Sequence, residues 1–399
     1  MTRDARDVVI VGGGPAGTTA AIALVHAAPE LASRVVVVEK GRYPREKYCA
    51  GALGARGEKI LRAMDAMPDV PSAPVDGISF RGAEGEIAAS VGAIGRVVRR
   101  IELDHALAKI AASRGVDVRD DTRVEGVAAN VGGAIVETSR GRIDARIVVG
   151  ADGVGSVVRK AMGLGAGALR AQVLEVDTES VAGDRDRTLL HFDASDRALP
   201  GYAWDFPTVV DGRALVCRGV YHLKTPGGPD VDLGGMLEAR LRAIGLDSAR
   251  YKNKRYAERG YDPVERVVDG ALMLVGEAAG IDPVTGEGIA QAIESGANAG
   301  RFLARALGRD DGIAGWEDES RSSRLARDLR IRTTFVRLFY GAPRPEVERF
   351  ILESPDALHV GCQHFANEPY DWLRLAPVLV RGASRLAAMK IASVLGGRA

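Results

Sequence analysis

The first residues whose types and spacing imply chemistry are Gly12, Gly14 and Gly17, in the run Val8-Val9-Ile10-Val11-Gly12-Gly13-Gly14-Pro15-Ala16-Gly17. The spacing is GxGxxG. A glycine in the first place permits a tight turn, one in the second lets the backbone approach a pyrophosphate, and one in the third lets a helix close onto a strand. The helix that opens at Pro15 and Ala16 would aim its free N–H groups at the phosphates. Glu39 follows about 20 residues after the last glycine, at the end of the next apolar run, where an acid grips ribose hydroxyls. Together these residues predict a dinucleotide site. They do not separate a flavin dinucleotide from a nicotinamide one.

The elements that must hold this site are legible around it. Asp7–Val11 and Arg34–Glu39 read as buried parallel strands, and Ala16–Ala28, with small and apolar residues at helical spacing, reads as the helix between them. Ile101–Ser113 has the pattern of an amphipathic helix, Arg142–Gly150 and Val268–Val275 of further strands, and Gly288–Ala306 of a long helix. Val75–Val91 and Leu169–Tyr221 alternate and carry turn residues, as antiparallel strands do. Beyond about residue 310 the pattern is helical and rich in arginine.

Two further motifs narrow the cofactor. Residues 147–159 read Ile-Val-Val-Gly-Ala-Asp-Gly-Val-Gly-Ser-Val-Val-Arg, which resembles the GADGxxSxxR motif of the p-hydroxybenzoate hydroxylase class of flavoproteins, with Asp152, Gly153, Ser156 and Arg159 in the matching places. Residues 274–289 resemble the GDAAG…P…GEG element of the same class. The resemblance implies FAD, with the acid at Glu277 on the ribityl chain and the helix after Gly286-Glu287-Gly288 aimed at the N1–O2 edge of the flavin. A helix N-terminus favours the negative charge that reduced flavin carries there. Glu277 stands where the class has Asp. Arg100 matches an arginine of the class near the cofactor. The candidate cofactor-binding residues are therefore Gly12, Gly14, Pro15, Ala16, Gly17, Glu39, Lys40, Arg100, Val124, Asp152, Gly153, Glu277, Gly286, Gly288 and Ile289.

Within the class, Gly201-Tyr202-Ala203-Trp204-Asp205-Phe206-Pro207 resembles the YxWxFP motif of geranylgeranyl reductases, which reduce double bonds in polyprenyl chains. On a strand Tyr202, Trp204 and Phe206 share one face. They are the candidate substrate-binding wall, a packed core face being the competing reading. Pro44-Arg45-Glu46-Lys47-Tyr48-Cys49-Ala50-Gly51 resembles a Cys-Gly-Gly element of that branch, with Ala50 in place of the first glycine. Cys49 and Tyr48 are the candidate proton donors, with a bound water as the third. The branch's Asn-Val-Gly element has no counterpart in Leu215–Gly219. The resemblance covers roughly residues 6 to 305.

The implied fold is α/β: a Rossmann-like FAD-binding domain of the GR2 type, from residues 1–75, 96–168 and 265–310, with an inserted, mostly antiparallel β-sheet substrate domain from residues 76–95 and 169–264. Residues 311–399 form a C-terminal helical region. The implied activity is an FAD-dependent reduction of C=C bonds in a hydrophobic, polyprenyl-type substrate, with NADPH, NADH or another external donor supplying electrons. The alternative is an FAD-dependent monooxygenase acting on a hydrophobic aromatic or prenylated compound. A flavin halogenase and a non-catalytic prenyl-binding escort rank below both.

Composition limits the remaining choices. Lys plus Arg is 54 against 53 for Asp plus Glu, so no basic field exists to recruit nucleic acid. Cys49, Cys217 and Cys362 are far apart in sequence and read as neither a metal site nor a disulfide framework. No apolar run approaches the roughly 20 residues needed to span a bilayer, and a cytoplasmic protein is expected. Residues 376–395 place Leu379, Leu386, Met389, Ile391, Val394 and Leu395 beside Arg381, Arg385 and Lys390. That pattern suits either a helix docked on the protein's own core or one lying peripherally at a membrane.

Overall fold

Four consecutive valines, Val35–Val38, form a strand with no residue more than 1% exposed. Such an unbroken apolar run is what a parallel strand covered on both faces requires. It pairs with Asp4–Val11, Val9 lying opposite Val36, and on its other side Val9 faces Val148 of Gly141–Gly150. The parallel sheet runs in the order Asp117–Arg119, Val35–Val38, Asp4–Val11, Gly141–Gly150, Leu272–Leu274. The hairpin Val124–Asn130/Gly133–Thr138 extends Gly141–Gly150 as antiparallel strands. The single strand expected over Val268–Val275 is in fact two. The chain turns at Gly270, with φ +59°, and Val268 comes to pair antiparallel with Met273.

The computed structural model describes residues 4–184, 187–224, 227–307, 312–366, 368, 373–378, 380–382 and 384–385. Two helices cover one face of the parallel sheet. Pro15–Ala27 and Ile289–Ala306 touch through backbone, since a side chain on Gly296 or Gly300 would overlap the carbonyl oxygens of Ala16 and Ala20. The pairing of 16 with 296 and 20 with 300 makes the helices parallel. Ile289–Ala306 starts six residues earlier in that register, so the two N-termini point the same way, offset by about 9 Å.

The second sheet has eight strands, in the order Lys254–Arg259, Arg170–Thr178, Arg213–Lys224, Gly201–Val210, Leu189–Asp193, Ser72–Gly82, Gly85–Val98, Ala52–Gly54. All neighbours are antiparallel except Leu189–Asp193 and Ser72–Gly82. Its two long strands run past the anticipated 76–95, and it also takes in Ala52–Gly54. One face is covered by the helix Leu233–Ala243, which buries Leu233, Leu237 and Leu241 against Leu174, Val176 and Val220. The other face carries Tyr202, Trp204, Phe206 and Tyr221 and meets residues of three C-terminal helices, Arg324–Phe339, Arg344–Leu352 and Pro355–Ala366.

Candidate functional site

The glycine turn is built for a ligand on one side and for protein on the other. Gly12 has φ +104°, and a Cβ there would sit 2.5 Å from the Ala151 carbonyl oxygen, while a Cβ on Gly17 would overlap the Gly12 carbonyl. These two positions close the helix onto the strands. Gly14 is different: an added Cβ would meet only Arg100 Nη2, at 3.4 Å. Gly14 caps the helix without a side-chain hydrogen bond, and Pro15 at its first position brings no N–H, so the N–H groups of Ala16 and Gly17 face outward at the helix end.

Glu39 is 5% exposed and ends the second strand. Its carboxylate accepts from the Gly13 N–H at 2.9 Å and the Gly41 N–H at 2.9 Å, and pairs with Arg45 at 3.0 Å. Arg100 lies beside the turn and donates two bonds to Asp104, at 2.7 and 2.8 Å. Burial opposes the guanidinium charge, and the Asp104 carboxylate more than offsets this. Arg100 is thus a largely buried, paired cation rather than a solvated charge at the helix end. Lys40 is exposed. Val124 is buried at the start of its strand, in the core that contains Val36 and Val38.

Asp152, Gly153 and Glu277 converge from two distant segments. A Cβ on Gly153 would lie 3.2 Å from Glu277 Oε2. Asp152 accepts from the Val157 N–H at 2.6 Å through Oδ2. Its Oδ1 and Glu277 Oε1 are buried without a hydrogen-bond partner among the described residues. Buried carboxylate oxygens without donors are rare in a finished structure, and here two face one region. Farther along, Gly286 has φ +66° and Gly288 caps the helix Ile289–Ala306 with no side-chain bond, leaving its first N–H groups open. The turn, the orphaned oxygens and the two offset helix ends fit an extended dinucleotide such as FAD.

The loop before that helix is held from three sides. Tyr202 and Tyr340 donate hydroxyl hydrogen bonds to the Thr285 and Val284 carbonyls, and Tyr221 donates to the Pro283 carbonyl at 3.0 Å. Asp282 accepts from the Val284 N–H at 2.8 Å and pairs with Arg332. Arg332 also reaches Glu287 at 3.3 Å.

From Gly286 and Gly288 a cavity of about 600 Å³ runs between the second sheet and the C-terminal helices. Tyr202, Trp204 and Phe206 line it, as do Cys49 and Glu258, with Phe335, Phe339, Phe350 and Phe365 on the helical side. The two readings of the aromatic strand face turn out to be compatible. These residues are 8%, 2% and 4% exposed, packed against one another and also facing the cavity. Burial raises the Cys49 thiol, with Arg100 pulling the other way, which keeps the sulfur protonated. Tyr48 is not brought to the cavity; its ring sits 5.5 Å from Lys252 Nζ, among partly exposed residues.

An FAD binding domain family matches residues 5–323. The digeranylgeranylglycerophospholipid reductase of Methanothrix thermoacetophila is 30% identical over 360 residues, covering 83% of this chain and 88% of that protein. The chain belongs to the geranylgeranyl reductase family of FAD-dependent oxidoreductases. Among solved structures, a geranylgeranyl bacteriochlorophyll reductase-like protein from Thermoplasma acidophilum superposes with a TM-score of 0.64 at 22% identity, covering 95% of this chain and 96% of that one. A flavin-dependent brominase superposes at 0.70 with 18% identity, covering 97% and 100%. The flavoprotein fold is thus shared across chemistries, and the family rests on sequence.

Two parts of this flavoprotein's site escaped sequence reading. The helical wall lies beyond residue 310, where the pattern shows helices but not what they face. Glu258 sits in an alternating strand, Lys254–Arg259, that resembles any edge strand. Its signal would have been a carboxylate on the same strand face as Tyr256, two residues away.

Proposed function

We propose that the protein reduces C=C bonds in the polyprenyl chains of a lipid, using FAD reduced by NADPH, NADH or another external donor. The observation that carries this reading is the aromatic-walled cavity that starts at Gly286 and Gly288, the expected flavin end, and continues between sheet and helices. Its volume and apolar walls suit a long hydrocarbon chain such as a polyprenyl group. The relatives named as reductases of digeranylgeranylglycerophospholipid support the substrate class.

FAD, when bound, supplies hydride for the reduction. In this reading the N–H groups of Ala16 and Gly17 hold the pyrophosphate, Glu39 the adenosine ribose, and Asp152 and Glu277 the polar middle of the cofactor. Gly153, having no side chain, leaves the carboxylate of the longer Glu277 room to take the place of Asp there. The open N–H groups of Ile289 and the two residues after it stabilise negative charge on the pyrimidine edge. The three tyrosines fix the loop that carries Gly286. The aromatic wall orients the chain and excludes water.

We further propose that the cavity loads at a membrane surface. Ile331, Phe335, Leu373 and Val380 are exposed near the helical wall, at 57%, 41%, 88% and 66%. Within the C-terminal segment 376–395, Arg385 pairs with Glu353 and Arg381 approaches Asp356 at 3.7 Å, so its described part docks on the protein. Leu379, Leu386, Met389, Lys390, Ile391, Val394 and Leu395 lie outside the described residues. Among the described residues no helix is long and apolar enough to cross a membrane.

The decisive experiment reduces the purified yellow holoenzyme under nitrogen and adds digeranylgeranylglycerophospholipid in detergent. Flavin reoxidation with a mass gain of two hydrogens per double bond is expected. Turnover only on admitting O₂, with oxygen in the product, would instead establish the monooxygenase. Flotation of the full chain and of a version ending at residue 375 with anionic vesicles tests the surface contact; both remaining in the soluble fraction would remove it.

A further inference from the structure

The reduction needs a proton as well as a hydride, and the cavity offers few sources. Tyr48 is outside it. Cys49 lines it, with six carboxyl groups: Asp282, Glu287, Asp328, Glu346 and Glu348 pair with arginines, and Glu258 pairs with none among the described residues. Glu258 stands on the strand Lys254–Arg259, paired with Ala171 of the neighbouring strand. Its Oε2 is buried with no hydrogen-bond partner among the described residues. A Cβ on Gly286 would lie 2.7 Å from that oxygen and 3.1 Å from Tyr221 Cε2. The carboxyl group therefore sits where three things meet: the Gly286 turn, the aromatic wall and the open cavity.

The surroundings disfavour a carboxylate there. The charged groups that act on it are Glu277 from the turn at 276–278, Lys47 from the loop before Cys49, Glu175 from the adjacent strand and Asp282 from the loop before Gly286. Three of the four are acidic. Burial first, and the Glu277 carboxylate next, hold Glu258 well above the usual carboxylate range, with Lys47 opposing. An acid kept neutral in an apolar site can donate a hydrogen at neutral pH.

We infer that Glu258 is the catalytic acid that protonates the second alkene carbon, an assignment that rests on the reductase reading above. The balance is simple. Hydride from N5 of the reduced flavin forms a C–H bond at one carbon as the π bond opens. The Glu258 O–H bond breaks, and its proton forms the second C–H bond. The substrate gains two electrons and the flavin loses two. Glu258 is left as a carboxylate, which Lys47 stabilises until water returns the proton. A strand residue facing an apolar chamber is more stable as a hydrocarbon, since an unpaired buried carboxyl group costs free energy.

The test compares wild type, Glu258→Gln and Glu258→Asp as FAD-loaded, full-length proteins. Flavin absorbance and thermal unfolding first establish that the variants hold FAD and fold. Infrared spectra at pH 7 should show a protonated carboxyl stretch that Glu258→Gln lacks. Dithionite should reduce the flavin equally fast in all three. Reoxidation by digeranylgeranylglycerophospholipid under nitrogen should slow about 100-fold or more in Glu258→Gln and be partly restored in Glu258→Asp. The wild-type rate should fall at high pH as Glu258 loses its proton, and the Glu258→Gln rate should not. A Glu258→Gln enzyme that reoxidises at the wild-type rate, or an absent carboxyl band, overturns the assignment while leaving the reductase intact. A wild-type enzyme inert towards the lipid overturns the reductase reading itself.

Discussion

The two sheets do their work by opposite means. The parallel sheet presents backbone: a turn of glycines, two helix ends and a few carboxylates. Its own side chains, such as Val9, Val36 and Val148, are spent on the core. The antiparallel sheet presents side chains, with Tyr202, Trp204 and Phe206 towards the cavity. Asp205, between two of them, points to the other face and pairs with Arg218 at 3.1 Å and with Arg240 at 2.6 Å. A site made of backbone requires particular residues at particular spacings, chiefly glycine. A site made of side chains requires only shape and polarity, which many residues supply.

The contrast can be broken most sharply at Gly14. Since protein offers an added side chain only the Arg100 guanidinium, Gly14→Val should leave the apoprotein's melting temperature within about 2 °C. It should raise the FAD dissociation constant at least about 100-fold, or ~2.7 kcal/mol. Fluorescence titration of apoprotein with FAD measures this, and full occupancy in the purified variant would count against placing the pyrophosphate there.

Trp204→Ala should show the reverse pattern. Removing a buried indole costs about 3–5 kcal/mol of stability. FAD affinity should change by less than about threefold, because the wall does not touch the nucleotide half. Chemical denaturation and FAD titration on one preparation separate the two effects. Loss of FAD in step with unfolding would mean that the sheets are not independent in this respect.

A smaller effect tests the interior of the second sheet. Glu175 is buried and receives the Tyr256 hydroxyl at 3.0 Å. Burial pushes its carboxyl up to about 7, with Lys254 opposing. Its folded value is thus above its unfolded one, so the stability linked to its proton is fully present below the unfolded value. That stability is lost as pH rises through about 7. Glu175→Gln should flatten this part of the stability profile, measured by urea denaturation between pH 5 and 8. An unchanged slope would show that Glu175 is ionised throughout.

The smallest change is expected at Cys49. With Glu258 as the proton source, Cys49→Ala and Cys49→Ser should both keep lipid reduction within about threefold of wild type. A Cys49→Ala enzyme slowed 100-fold, with Cys49→Ser near normal, would move the proton to the sulfur.

How legible each region was follows from these same means. The strand-turn-helix at Asp4–Ala27, the acid at Glu39 and the paired motifs at Asp152 and Glu277 were readable, because a backbone site dictates local residue types. The hairpin at Gly270 was legible but passed over: Asp269-Gly270 is a turn signal, and the apolar residues on both sides of it masked the break. The period-two aromatics were readable as a face, but not as the wall of a cavity rather than the centre of a core. That distinction depends on what lies opposite, and here it is helices from residues more than a hundred positions later.

By itself the sequence determined that Gly12–Gly17 forms a glycine turn of the dinucleotide-binding kind, that the flavin class is the right one, and which strand carries the aromatic face. These are short-range facts, settled within a few turns of chain. Only the tertiary structure decided that Tyr48 stays outside the cavity and that Tyr202, Tyr221 and Tyr340 share one loop. It alone set Glu258 Oε2, under Gly286, without a hydrogen-bond partner among the described residues. Each of these depends on contacts between residues far apart in the chain, and burial, which moves a carboxyl group's proton affinity, is a property of the packed molecule and not of any segment of it.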